Sequence, residues 1–256
     1  LGLDQYFFNP KWDKNDETIN TGDMSLDTDI DRIAIFRTKW KRLYKDYFDG
    51  KFRIKDILYA SNNFIGLSAI VKSDGYRNDG SHMHGLRIKD PYNPRYNDDY
   101  KFADTFKRIE KGIRRFEYSA EIRKESLVEL ETFLKACKDR GIYVSAFLPS
   151  YAHEVYETMR SMGRKYLYMW KIYDSVLPIF KKYGFVVQDF SDLTVLGAGD
   201  DETIDGFHGS EKAYLRLWLK LQENDPYLQK FSEDPQLLSS FIDKAANPLL
   251  VFSEVR

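Results

Sequence analysis

The sequence predicts an α/β fold, a three-layer α/β/α sandwich with a mostly parallel sheet. Two observations carry this expectation. From residue 121 onward the chain reads helix, strand, helix, strand, loop, helix, an alternation that implies parallel pairing through crossover connections. The chain is also 43% hydrophobic and 16% aromatic, too apolar for a disordered polymer, and at 256 residues it can bury a sizeable core.

The opening Leu1-Gly2-Leu3-Asp4-Gln5 reads as the tail of a buried strand running into a loop. It has neither an initiator Met nor the length of a targeting peptide, which suggests the downstream part of a longer protein. Ile30, Ile33, Ala34, Trp40, Leu43, Tyr44 and Tyr47 then recur at helical spacing, with Asp27 to Asp31 suited to the helix N-terminus. A second apolar pattern runs from about Ile57 to Val71. A third steps by four, three, four and three through Phe102, Phe106, Ile109, Ile113 and Phe116. Between these two lies Ser73 to Asp99, rich in Gly, Asn, Asp, Pro and Tyr and too long for a plain connection; a lid over a substrate is the expectation.

The second half is cleaner. Glu121 to Arg140 is an amphipathic helix with Ile122, Leu127, Leu130, Leu134 and Cys137 on one face, stopped by Gly141. Ile142 to Leu148 is a short apolar strand ended by Pro149. Tyr166 to Tyr183 is the next helix, closed by Gly184, and Phe185 to Phe190 the next strand. The last helix spans about Ser210 to Leu221, with Ser210 as N-cap. Residues 1–222 are thus expected to form the α/β domain. Residues 223–256, which carry Asp-Pro twice, are expected to be a C-terminal extension. Two strands and the remnant at Leu1 to Leu3 fall short of the roughly five that a covered parallel sheet needs, so the missing N-terminal strands are expected upstream of Leu1.

Charge removes several function classes. With 39 basic and 40 acidic side chains the net charge is −1, which lacks the broad basic surface of a general nucleic-acid binder. No apolar run approaches the length of a membrane span. A single cysteine excludes an internal disulfide and a multi-cysteine zinc site, and Cys137 falls on the core face of its helix, where an inert thiol is expected.

The strongest chemical signal is Asp205-Gly206-Phe207-His208-Gly209-Ser210, just before the last helix. An Asp three residues ahead of a His on a glycine-flanked turn can reach the imidazole Nδ1–H. That contact fixes the tautomer and stabilises the imidazolium formed when Nε2 accepts a proton. The same residues also fit an exposed turn. Tyr151 and His153 follow the first clear strand, at the sheet edge that lines ligand crevices in open α/β folds, and are candidates for substrate contact; His153 equally suits a surface helix start. His82 and His84 could begin a metal site, but no third ligand stands at an obvious spacing. Tyr76, Tyr92, Tyr96 and Tyr100, in or beside the long polar segment, suit sugar rings as well as ordinary packing. Arg77, Arg87 and Arg95 could meet anionic groups there.

The Asp205-x-x-His208 block, preceded by Asp189-Phe190-Ser191 and followed by Tyr214, Leu215, Trp218 and Leu219, resembles the last block of the SGNH hydrolase superfamily. The likeness covers roughly Glu121 to Leu221, including Leu148-Pro149-Ser150-Tyr151, and is nearest to extracytoplasmic members of the alginate O-acetyltransferase-like and D-alanyl-transfer-protein-like groups. It implies a flavodoxin-like sandwich and a serine esterase or O-acyltransferase acting on cell-envelope or secreted polysaccharide. His208 would be general base and acid, and Asp205 its partner. The family's nucleophile turn, Gly-Asp-Ser-like, has no counterpart here. Gly66-Leu67-Ser68 is similar only on the surface, because it lies inside a helical pattern. The serine is therefore expected upstream. Gly2 to Asp4 occupies the place of the family's Gly-x-Asn oxyanion block, with Asp4 where Asn stands, so Asp4 is a substrate-binding candidate. No metal or organic cofactor is expected, because the serine ester is the covalent intermediate. The resemblance further implies a periplasmic or cell-surface protein, membrane-attached only through an upstream anchor. The alternative is a non-catalytic glycan-binding or polysaccharide-assembly subunit on the same scaffold.

Overall fold

The computed structural model describes residues 1–12, 32–60, 64–78, 80–97 and 99–252. The chain divides into two compact units, one of residues 13–90 and the other of residues 1–12 with 91–254.

In the smaller unit, α1 (Arg32–Phe48) realises the first helical pattern. Ile30 and the acidic run Asp27 to Asp31 lie outside the described residues, as do the side chains of Ile33 and Ala34. The pattern expected to run unbroken from Ile57 to Val71 is split into α2 (Ile54–Leu58), β1 (Phe64–Ile65) and α3 (Leu67–Lys72). Gly66 makes the break with φ +89, an angle closed to a helix interior. It therefore stands at a strand-to-helix junction of an antiparallel sheet; the side chain of Ser68 lies outside the described residues.

The Ser73 to Asp99 segment is not one loop. It contains β2 (Asp74–Arg77), β3 (His82–His84) and α4 (Leu86–Lys89), and β1-β2-β3 form an antiparallel sheet with Gly75 opposite Met83. Its polar composition concealed the strands, because of the residues on β2 and β3 only Met83 is buried.

The larger unit holds α5 (Ala103–Lys111), α6 (Lys124–Asp139), β4 (Ser145–Leu148), α7 (His153–Ser161), α8 (Leu167–Tyr183), β5 (Val186–Asp189), α9 (Glu211–Asn224) and α10 (Pro235–Lys244). Gly112 ends α5 short of Phe116 by taking a left-handed conformation. Gly184 closes α8 in the same way, and Ser210 Oγ accepts the Ala213 N–H as N-cap of α9, as expected. β4 and β5 pair in parallel, Ser145 opposite Val186. The opening residues add a third parallel segment on the other side of β4: the Phe147 N–H donates to the Leu1 carbonyl at 3.0 Å and the Leu3 N–H to the Phe147 carbonyl at 2.8 Å.

Side chains of β4 alternate between two apolar clusters. Ala146 and Leu148 join Leu130 and Leu134 of α6 and Ile172, Val176 and Phe180 of α8. Phe147 packs instead with Leu196, Ala213, Leu217 and Leu221, the α9 side. The chain is thus α/β, with helices against both faces of its parallel strands and a separate small antiparallel sheet. Cys137 is buried in the first cluster.

Residues past 222 are packed rather than trailing. Leu238 and Ile242 of α10 bury against Leu215 of α9, and the nearly inaccessible Asp225 carboxylate accepts the Tyr143 phenol at 2.9 Å. Burial and that carboxylate push the Tyr143 hydroxyl pKa up to about 12.

Candidate functional site

The parallel strands end together, and three loops gather at their carboxyl ends. Gln5, almost fully buried, ties two of them: its Nε2 donates to the Pro149 carbonyl after β4 at 2.7 Å and to Ser191 Oγ after β5 at 3.1 Å. Ser191 Oγ in turn donates to Asp189 at 2.6 Å. The third loop, residues 203–209, is a tight turn closed by the Ile204 N–H donating to the His208 carbonyl at 2.8 Å.

Inside that turn, Asp205 Oδ2 lies 2.8 Å from His208 Nδ1. Its other oxygen accepts the backbone N–H groups of Phe207 and His208 at 3.0 and 2.8 Å. The carboxylate is thereby pinned in one orientation, with the imidazole as its remaining partner. Asp205 exposes 13% of its side chain and His208 54%, so the acid is sheltered while the base is open to a reactant. Burial opposes ionisation of Asp205, but the His208 hydrogen bond and charge and the two backbone N–H groups outweigh it, holding the carboxyl below its ordinary range. A depressed carboxyl pKa stabilises the fold above that range and loses the contribution as pH falls through the folded value. Among the described residues, no hydroxyl hydrogen-bonds to His208 Nε2.

The turn is seated from beneath. Gly206 gives its carbonyl to the Ala152 N–H at 3.0 Å, and a Cβ there would lie 2.7 Å from Thr105 and 2.8 Å from Val155. Only glycine lets the backbone approach α5 and α7 this closely. Phe207 packs edge-on to Phe116 with the Arg108 guanidinium over its ring. Asp99, which sequence reasoning missed, is buried, and its carboxylate accepts the N–H groups of Asp104 and Thr105, the Thr105 hydroxyl and, at 3.4 Å, the Gly206 N–H. It couples the start of α5 to the turn. Asn97 adds a link, its Nδ2 donating to the Ile204 carbonyl at 3.3 Å, which brings the segment bearing exposed Tyr92 and Tyr96 beside the turn.

The other sequence-derived candidates divide. His153 is the first residue of α7, at the same sheet edge, and pairs through Nδ1 with Asp192 at 3.1 Å. That second His–Asp pair was not foreseen, since the two residues are 39 apart and only the fold joins them. The Asp192 hydrogen bond, outweighing partial desolvation, raises the His153 pKa, with the charges of Asp192, Asp200 and Glu157 adding to it. A raised His pKa stabilises the fold below its ordinary value of about 6.5, and the contribution is lost as pH rises through the folded value. The His153 imidazole should therefore titrate above that ordinary value by NMR and move back toward it in Asp192→Asn. An unchanged titration in the variant would show that the pair is not formed in solution.

Tyr151, expected to contact substrate, is buried to 6% exposure with its ring against Phe116. Burial also pushes its hydroxyl pKa far up, so it serves packing rather than contact with a large ligand. Asp4 stands between strand end and loop, 3.4 Å from the Tyr6 hydroxyl, and its charge reaches both Tyr151 and Tyr214. An ionised carboxylate repels a developing oxyanion, so Asp4 does not suit an oxyanion-hole role. His82 and His84 sit on β3 with rings 4.5 Å apart and belong to the smaller unit. Among the described residues the one grouping with metal-ligand spacing is His153, Glu157 and Asp192. No helix of the described residues is long and apolar enough to cross a membrane. No family model, curated protein or solved structure matches the chain.

Proposed function

We propose that the protein is an SGNH-type serine esterase or O-acyltransferase acting on ester groups of a cell-envelope or secreted polysaccharide. The observation that carries the reading is the 2.8 Å contact between Asp205 and His208 at the carboxyl edge of parallel strands. The Asp-x-x-His spacing and the helices against both faces of β4 support the finer reading as well, a three-layer sandwich with a mostly parallel sheet.

In this mechanism His208 Nε2 removes the proton from a serine hydroxyl while Nδ1–H remains on Asp205. The serine oxygen attacks the ester carbonyl, and His208 returns the proton to the departing sugar oxygen as its bond to the acyl carbon breaks. Water or a second hydroxyl, deprotonated by the same nitrogen, then attacks the acyl carbon, and the bond to the serine oxygen breaks as His208 returns that proton to it. The pinned Asp205 stabilises the imidazolium in both halves. Tyr92 and Tyr96, exposed on the segment that Asn97 ties to the turn, offer faces for sugar rings. The reading carries with it a periplasmic or cell-surface location.

One observation favours a second reading. With no described hydroxyl on Nε2, the same scaffold could bind glycan without catalysis. Acetate release from an O-acetylated polysaccharide by the full-length gene product, followed alongside binding to the same polymer, separates the two. Release supports acyl transfer; saturable binding without release replaces it with the binding role.

A further inference from the structure

His153 and Glu157 are one helical turn apart on α7, a spacing that puts both side chains on one face, and Asp192 meets that face from the segment after β5. One ligand-type atom from each lies within 4.8 Å of the other two. The closest pair, His153 Nδ1 with the Asp192 oxygens, is 3.1 and 3.2 Å apart. Neighbouring ligands held about 2.1 Å from one zinc ion are separated by about 3.0–3.4 Å, so this pair already has the spacing of two adjacent coordination positions. Exposed Glu157 closes the remaining gap by side-chain rotation.

The local field also suits a cation. The positive end of α7 would repel one, but the Asp200 carboxylate accepts the N–H groups of both His153 and Glu154 and covers it. Asp192 is held in place by the Thr194 N–H at 3.0 Å. Arg160, 3.4 Å from Glu157, forms only an exposed ion pair of the kind that contributes little and yields readily.

We propose that His153, Glu157 and Asp192 form a binding site for a divalent transition cation of the zinc class, with coordination positions left open to solvent. One imidazole with two carboxylates is a borderline donor set; magnesium and calcium take oxygen ligands throughout. The site shares no residue with the Asp205–His208 pair and stands independently of the acyl-transfer reading.

Calorimetric titration of zinc sulfate into the metal-free protein tests it. The expected result is one bound equivalent, weakened about tenfold or more in His153→Ala and in Asp192→Asn, and unchanged in the His82→Ala/His84→Ala double variant. Thermal unfolding without zinc checks that His153→Ala retains its fold, and Glu157→Gln, a milder change, should weaken binding as well. Absence of saturable binding, binding unaffected in His153→Ala and Glu157→Gln, or binding lost with the hairpin histidines would each overturn the proposal.

Discussion

If His208 serves acyl transfer as proposed, replacing it with Ala should lower ester turnover by the full-length protein about 10³–10⁴-fold, the loss expected when the proton carrier of a serine triad is removed. KM should move far less than kcat, because the imidazole acts on the reacting bond and 54% of its side chain is open to solvent rather than buried against a ligand wall. Asp205→Asn leaves the turn intact, since an amide oxygen can still accept the Phe207 and His208 N–H groups. It removes the charge that supports the imidazolium and lets the ring settle in the wrong tautomer. Its effect on turnover should therefore approach that of His208→Ala, while the melting temperature falls only by the modest share that the depressed Asp205 carboxyl contributes. If either variant retained wild-type turnover, His208 and Asp205 would be a surface turn and no more.

Asp99→Ala is the largest stability effect expected away from the apolar core. The carboxylate is buried and accepts from two backbone N–H groups at the start of α5, from the Thr105 hydroxyl and from the Gly206 N–H. Truncation leaves several of these donors without partners, and the destabilisation should be about 3 kcal/mol by denaturant titration. Activity should fall as well, because Gly206 adjoins Asp205 and its backbone is wedged against Thr105 and Val155. Asp99 is a positioning residue in this account. Asp99→Asn, which keeps one acceptor oxygen, should recover part of both stability and rate. A truncation costing less than about 0.5 kcal/mol, the range of an ordinary surface substitution, would remove Asp99 from the support of the turn.

What the sequence revealed follows a physical pattern. Elements with a full period of apolar residues and an explicit terminator were legible: α6, α8 and α9, with β4 and β5 between them, fall within a few residues of expectation. The Asp205–His208 contact was legible because both residues lie on one turn, where spacing alone determines reach. The sheet of the smaller unit was not, since three short strands that bury little leave almost no alternation to read. α7 was legible only as a helix start at His153, one of two readings of that residue, because its apolar face has few members, Val155 and Met159 being the buried ones. Long-range partners were the remaining loss. Asp192 meets His153 across 39 residues and Asp99 meets Gly206 across 107, pairings that only tertiary packing creates.

The most direct measurement is the rate at which a fluorophosphonate labels the full-length protein, followed by intact mass. A serine triad completed by His208 gives a single adduct on a serine, formed at least 100-fold more slowly in His208→Ala, because general-base removal withdraws a factor of about 10²–10⁴ from serine attack. Labelling at the wild-type rate in that variant, or ester turnover by a protein that forms no serine adduct, would contradict it.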